Sequence, residues 1–260
     1  MRKLLSASYF LSWKERLDVN LTAELQQIRQ REWTVNNFTF ATAVSVMCSS
    51  KIEGESLEVD SYVKHKMLQV DYLPNLTSKP NDLYEAYEFA KDQPLTEQNV
   101  LHAHTIATRH LLPESNRGRI RTVNMLILEQ QTQQIKYQAA TAEEVNKEHE
   151  DFWIELNELI KESLTTEQVF YYAALIHIVF VKIHPFDDGN GRIGRLLEKW
   201  FLAQHLGEKA WFIASELYYY KNLQIYYQNL ARVGLFYDAL IYENSIPFLL
   251  MLPNSLITDH

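Results

Sequence analysis

The chain has 260 residues, 47% of them hydrophobic and 12% aromatic, enough to bury a sizeable core in one large or two small domains. With 25 basic against 33 acidic residues the net charge is −8, which argues against nonspecific binding to nucleic acid or an anionic membrane, because both need a basic surface. The single cysteine, Cys48, excludes an intrachain disulfide, suits a reducing compartment and reads as a small buried hydrophobe.

Seven glycines, seven prolines and apolar residues at helical rather than alternating spacing predict a mainly α-helical fold without repeats. The start, Met1 to Ala7, begins like a signal peptide, but its apolar run breaks early and Lys14, Glu15 and Arg16 follow, so it reads as mature sequence. Helices are expected at Leu21 to Arg31, Val59 to Leu73, Asp82 to Lys91, Glu97 to His110 and Ala142 to Glu162, with breaks at Pro74, Pro80, Pro94 and Pro113. Between the first two, Ser49 to Gly54 admits two readings: Ser50 with Glu53 as a capping box at a helix start, or Gly54 closing a short helix. Thr122 to Leu128 and Gln134 to Gln138 are β-prone runs around a polar turn and predict a hairpin, which without further context is a surface ornament.

The clearest helix runs from about Glu167 to Ile183, with a capping box at Thr165 and Gln168 and a body apolar nearly all round, as suits the centre of a bundle. The nearest approach to a membrane span, Val169 to Ile183, is too short and is interrupted by His177 and Lys182, so a soluble, cytoplasmic protein is expected. That helix delivers His184-Pro185-Phe186-Asp187-Asp188-Gly189-Asn190-Gly191-Arg192-Ile193-Gly194-Arg195, and a second helix follows from Ile193 to about Leu206. In twelve residues the string offers a base able to take a hydroxyl proton near neutral pH, glycines that let backbone N–H groups crowd an anion, and two arginines on one face of a first helical turn. The positive end of the second helix points at whatever sits above Gly189 to Gly191, and an anion is the expected occupant.

Each part has an ordinary reading too: a helix-end histidine satisfied by a carbonyl, a turn, two surface salt bridges. His102 and His104, two apart, fall on different faces of a helix and do not suit joint metal ligation. The tyrosine-dense run from Leu217 to Tyr227 reads first as packing, and the apolar tail Ile246 to Leu252 as a segment that covers the core or a second subunit.

The string as a whole resembles the active-site motif of the Fic-domain family, H-P-F-x-[D/E]-G-N-G-R-x-x-R, with every fixed position filled. The resemblance implies the Fic fold, an all-α bundle with a small β-hairpin flap. It divides the chain into an N-terminal helical region (1–93), a core (94–207) with the flap at about 122–138 and the active-site loop at 184–195, and C-terminal helices (208–260) packing on the core. The implied activity is transfer of AMP from ATP to a hydroxyl of a target protein, or of the chain itself, with Mg²⁺ as cofactor and pyrophosphate leaving. On this pattern His184 is the general base and Asp188 holds Mg²⁺, while Asp187, at the variable position, is solvated. Gly189, Asn190 and Gly191 orient the α-phosphate, Arg192 grips the β-phosphate and Arg195 reaches the γ-phosphate. Phe186 anchors the loop, and Tyr226 and Tyr227 border the base and sugar.

Gly118 to Arg121 approximates the element before the family's flap, with Ile120 in place of an aromatic and Ala139-Ala140 where prolines are common. The flap residues Ile135, Lys136, Tyr137 and Gln138 would register the target by strand addition. Ser49, Glu53 and Gly54 match the family's inhibitory motif [S/T]-x-x-x-E-[G/N], which implies an inhibitory helix at about 45–56 whose Glu53 pairs with Arg195. Removal of AMP with Glu53 positioning water, transfer from another nucleotide donor, and a nucleotide-sensing interaction module without catalysis are the competing readings. Partners outside ATP and the target protein are not expected, apart from a second copy of the chain.

Overall fold

The computed structural model describes residues 3–30, 34–128 and 135–257. Thirteen α-helices are described: α1 (Phe10–Lys14), α2 (Leu21–Gln30), α3 (Val35–Ile52), α4 (Val59–Leu68), α5 (Pro74–Lys91), α6 (Glu97–Ala107), α7 (Val145–Lys161), α8 (Thr166–Ile183), α9 (Asn190–Leu206), α10 (Ser215–Lys221), α11 (Leu223–Ala231), α12 (Ile246–Leu249) and α13 (Met251–Asn254). The sheet is one antiparallel hairpin, β1 (Leu126–Leu128) with β2 (Ile135–Gln138), paired Leu126 to Gln138 and Ile127 to Tyr137. The architecture is the expected helical bundle with a small hairpin.

Helix α8 forms the axis. Its capping box is in place: Gln168 N donates to Thr165 Oγ1 at 3.3 Å and Thr165 N to Gln168 Oε1 at 2.9 Å. From Val169 to Phe180 every residue is buried, which is the all-round apolar pattern carried into space. By length and composition this helix could cross a membrane, contrary to the sequence expectation, but 78% of it lies inside the protein. Helix α9 packs along α8 because Gly194 faces it: a Cβ there would stand 2.8 Å from Val181 Cγ2 and 3.0 Å from His177 Cδ2. Helices α3, α5 and α6 cover α9, while α7, α12 and α13 cover α8, so the tail from Ile246 to Leu252 closes the core of its own chain.

Several boundaries differ from the sequence pattern, each for a local reason. Pro80 does not break a helix; it lies buried inside α5, which starts with Pro74 in its first turn. The hydrogen bond that Pro80 forfeits costs the helix, and burial of Thr77, Leu83, Tyr84 and Tyr87 on the same element offsets it. Helix α4 stops at Leu68 rather than Leu73, because Gln69 takes a left-handed conformation (φ 56°) and His65 Nδ1 bonds Val70 O at 2.8 Å. Helix α6 ends at Ala107, where the Asp82 carboxylate takes the His110 N–H at 2.8 Å, and α9 opens at Asn190, since Gly189 (φ 80°) is already its N-cap. The segment 122–125 is not strand: Arg121 Nη1 donates to Val123 O at 2.6 Å and Ala142 N to Asn124 Oδ1 at 2.7 Å, so side chains take the bonds a longer ladder would need. The expected inhibitory helix is the last part of α3; Gly54 (φ 92°) closes it, and the capping-box alternative at a helix start is not what forms.

Gly194→Val should force α8 and α9 apart and lower the unfolding free energy by about 1–3 kcal/mol in a urea titration, with secondary structure retained in circular dichroism.

Candidate active site

The C-terminal end of α8 and the N-terminal end of α9 meet in the loop 184–189. His184 is the C-cap of α8 in a left-handed conformation (φ 55°, ψ 59°), which a residue with a Cβ adopts only when its surroundings fix it. Three bonds do so: its N–H donates to Phe180 O at 3.0 Å, its Nδ1–H to Val181 O at 3.0 Å, and its carbonyl accepts from Arg121 Nε at 2.7 Å. The Nδ1 bond leaves Nε2 as the free lone pair, the tautomer a base requires. Burial is the main reason its pKa falls to about 4, so the ring is neutral at pH 7.

Three buried side chains shape the loop by satisfying its backbone. Arg121 also donates to Ala140 O and, at 3.4 Å, to Ile183 O, tying the end of α8 to the base of the hairpin. Asn190, expected to face the phosphates, turns inward: Oδ1 accepts from Phe186 N at 2.9 Å and Nδ2 donates to Phe186 O at 2.7 Å. His104 stacks on Phe186 at 3.7 Å between ring centroids, donates Nε2–H to Asp188 O at 2.9 Å and accepts from Gly118 N at 2.8 Å. Burial lowers its pKa to about 4, consistent with the neutral form these bonds require. Phe186 is fully buried, as an anchor should be. Asp187, expected to be solvated, accepts from Asn116 Nδ2 at 2.7 Å, whereas the exposed Asp188 turns its Oδ1 to the Gly189 N–H at 2.6 Å.

The two arginines of the loop are buried and each meets a carboxylate from the end of α3. Arg195 Nη2 donates to Glu53 Oε1 at 2.6 Å and to Ser49 O at 3.1 Å, Nε to Ser49 Oγ at 2.8 Å, and Nη1 to Tyr226 Oη at 3.2 Å. Burial alone would raise the Glu53 pKa, but the Arg195 guanidinium, with Arg192 beyond it, outweighs burial and holds it low. Gly191 leaves the room for this pair, since a Cβ there would collide with Glu53 Oε1. Arg192 Nη2 donates to Glu55 Oε1 at 3.1 Å, and Glu55 also accepts from Lys79 at 3.0 Å. Arg192 Nε and Nη1 are buried without any partner.

The remaining expected residues scatter. Tyr226 does not border an open pocket; it is buried behind Arg195. Tyr227 is 46% exposed and donates to Ile52 O at 3.0 Å. On the hairpin, Ile135, Lys136 and Gln138 are exposed, while Tyr137 is buried and donates to Lys182 O at 2.6 Å. Gln138 N is already bonded to Leu235 O at 2.8 Å, so β2 has a neighbour at that position. The turn expected between the strands, and Gln134, lie outside the described residues.

Residues 94–202 match the Fic/DOC family. The matched segment opens just before α6 and includes the hairpin, α8, the loop and most of α9. The fold is similar to that of a Fic family protein from Desulfovibrio desulfuricans G20, with 22% identity and a TM-score of 0.72 over 91% of this chain and 70% of that one. It is similar as well to a Fic domain containing signaling protein from Bacteroides thetaiotaomicron VPI-5482, at 21% identity and TM-score 0.59 over 95% and 92% of the two chains. For Fic-1 from C. elegans the values are 15%, 0.64, 96% and 70%. At these identities the likeness is one of fold; no curated protein matches the chain.

Within the Fic/DOC segment, the contacts least visible in sequence are those of Arg121 and His104, which the loop needs but the motif does not contain. The sequence pattern does not single out Glu55 either; its one signal is a second carboxylate two residues beyond Glu53. Because free imidazole protonates near pH 6.5 and folded His104 and His184 only at about 4, the unfolded chain takes up protons first. Folding stability should therefore fall as pH drops from about 6.5 towards 4. His104→Gln should flatten that slope, measured by urea titrations at stepped pH.

Proposed function

We propose that the chain is a protein adenylyltransferase that moves AMP from ATP to a Ser, Thr or Tyr hydroxyl of a target protein and is restrained by Glu53. The Fic/DOC match supports nucleotidyltransferase-like chemistry in general. One observation carries the finer reading: a neutral imidazole with a free Nε2 precedes α9, whose first turns carry two buried guanidiniums, one of which keeps two donor nitrogens unpaired. Such an arrangement suits a polyanion and a nucleophile that must lose a proton.

In this reading the target hydroxyl attacks the α-phosphorus, its proton passes to His184 Nε2, the new O–P bond forms, and the bond to the β-phosphate breaks to release pyrophosphate. Arg192 and Arg195 hold the departing charge, and the N–H groups of Asn190 and Gly191 at the start of α9 hold the α-phosphate oxygens. Among the described residues no cluster of three metal-ligating side chains occurs, and Asp188, an exposed carboxylate at the mouth of the loop, fits an ion held by one protein ligand plus phosphates. Bound Mg²⁺ would neutralise phosphate charge. Glu53 takes the Arg195 donor that a γ-phosphate would need, and Glu55 takes one from Arg192, so the end of α3 puts two carboxylates where a triphosphate's charge would lie.

Removal of AMP uses the same groups in the other direction. One detail favours keeping it in view: Glu53 engages Arg195 through Oε1, which leaves Oε2 to orient a water.

Glu53→Gly should raise AMP incorporation from labelled ATP by about tenfold or more, the worth of one charge-assisted bond. Glu55→Gln should give a smaller rise, since Arg192 is the less fully engaged. His184→Ala in the Glu53→Gly background should lower transfer by about a hundredfold or more while ATP still binds in calorimetry. Equal incorporation by wild type and Glu53→Gly would remove the restraint from the account, and release of AMP from a labelled target without incorporation would reverse the direction of the reaction.

A further inference from the structure

Arg195 is held by four hydrogen bonds, and three of them come from Ser49 and Glu53 at the end of α3. If Glu53 leaves to admit nucleotide, the segment that fixes the guanidinium is the segment that moves. The fourth bond has a different origin. Tyr226, on α11, accepts from Arg195 Nη1 at 3.2 Å, and behind it lies a chain of buried groups that leads away from the opening.

The protons along this chain can be assigned. The Tyr226 oxygen accepts from Arg195, so its own O–H must find an acceptor, and His177 Nε2 stands 3.1 Å away. His177 then carries its proton on Nδ1 and donates it to Glu198 Oε2 at 2.9 Å, which also accepts from Tyr219 Oη at 2.8 Å. From Arg195 to Glu198 each donor points the same way, inward from the guanidinium, and the tautomer is fixed at the far end by a carboxylate. His177, Glu198 and Tyr219 are 0% exposed and Tyr226 and Arg195 1%, so water cannot stand in for a lost link. Phe248, with its ring centroid 5.1 Å from that of His177 and 5.7 Å from that of Tyr226, seals the outer side.

The groups behind Arg195 come from α8 (His177), α9 (Glu198), α10 (Tyr219) and α11 (Tyr226), and α8 and α9 also carry the loop. His177 precedes His184 on α8, and Glu198 follows Arg195 by three residues on α9, on the same face. His177 and Glu198 thus fix the Tyr226 hydroxyl to the helices that carry the imidazole and the arginine, although α11 itself also touches the end of α3 through Tyr227 and Ile52 O. We propose that Tyr226, oriented by His177 and Glu198, is the positioning residue that keeps Arg195 aimed at the terminal phosphate of the nucleotide after Glu53 has withdrawn. This rests on the adenylyltransferase reading above.

The test uses the Glu53→Gly protein, with Tyr226→Phe added to remove the hydroxyl and keep the ring. ATP affinity should fall about tenfold, the loss of one hydrogen bond to a charged group. AMP, which lacks the phosphate that Arg195 would reach, should bind as before, and KM for ATP should rise with kcat little changed. His177→Phe should copy this effect, and His177→Gln, whose carbonyl oxygen can accept from Tyr226 near the place of Nε2, should restore most of the affinity. Equal weakening of ATP and AMP, or no weakening of either, would reduce the relay to core packing.

A nucleotide-free measurement separates this idea from the function it rests on. The Arg195 Nε–H resonance, assigned by its loss in Arg195→Lys, should broaden or shift towards the solvent value when Tyr226→Phe is added to Glu53→Gly. An unchanged resonance overturns the proposal. Failure of Glu53→Gly to bind ATP would sink the adenylyltransferase reading, while this resonance would still decide the role of Tyr226.

Discussion

A guanidinium carried out of water must find its counter-charge and its acceptors inside the protein, and Arg195 imposes that demand on three separate parts of the chain. Its cation survives burial because Glu53 and Tyr226 face it and Ser49 accepts twice. Helix α3 supplies the anion, α9 the arginine and α11 the phenol, so residues separated by more than a hundred positions converge on one planar group. Take away the carboxylate, and a buried positive charge remains that any anion of suitable shape can satisfy. In the proposed reading the restraint and the binding site are thus the same object seen with two different partners.

The loop itself is irregular backbone in a crowded place, and such backbone persists only when its polar groups are paired. Arg121, His104 and Asn190 do this with side chains that reach carbonyls and an amide the helices cannot serve. Their work makes the left-handed turn at His184 tolerable. It also links the loop to the hairpin, since the guanidinium that holds the His184 carbonyl holds those of Val123 and Ala140 as well. A displacement of the hairpin would be felt at the imidazole through one shared side chain.

The loop and its helices were legible in the sequence because their information is local: a capping box, an apolar run, a glycine bend and two arginines at helical spacing lie within thirty residues. The fate of Pro80 was not, because whether a helix tolerates proline depends on what the flanking residues bury. Nor were the orientations of Asn190 and Tyr226, two polar side chains whose composition suits either a ligand or a neighbour. For both, a distant partner decided the matter, Phe186 for one and the His177 and Arg195 pair for the other. The Glu55 contact with Arg192 belongs to the same class, since nothing within α9 hints at it.

Helix α3 ends at Ile52, and Glu53 sits one step past it, before a glycine whose φ of 92° few other residues would accept. Upstream, Ala43, Val46, Met47 and Cys48 are wholly enclosed, so swinging this helix as a rigid rod would tear open the interior. Its last turn is enclosed too, with Ser49, Ser50 and Ile52 buried, and exposure begins only past the helix at Glu53 and Gly54. If Glu53 restrains Arg195 as proposed, it is a latch just beyond the end of a fixed beam, and whatever lifts it needs to grip a handful of residues rather than displace a domain.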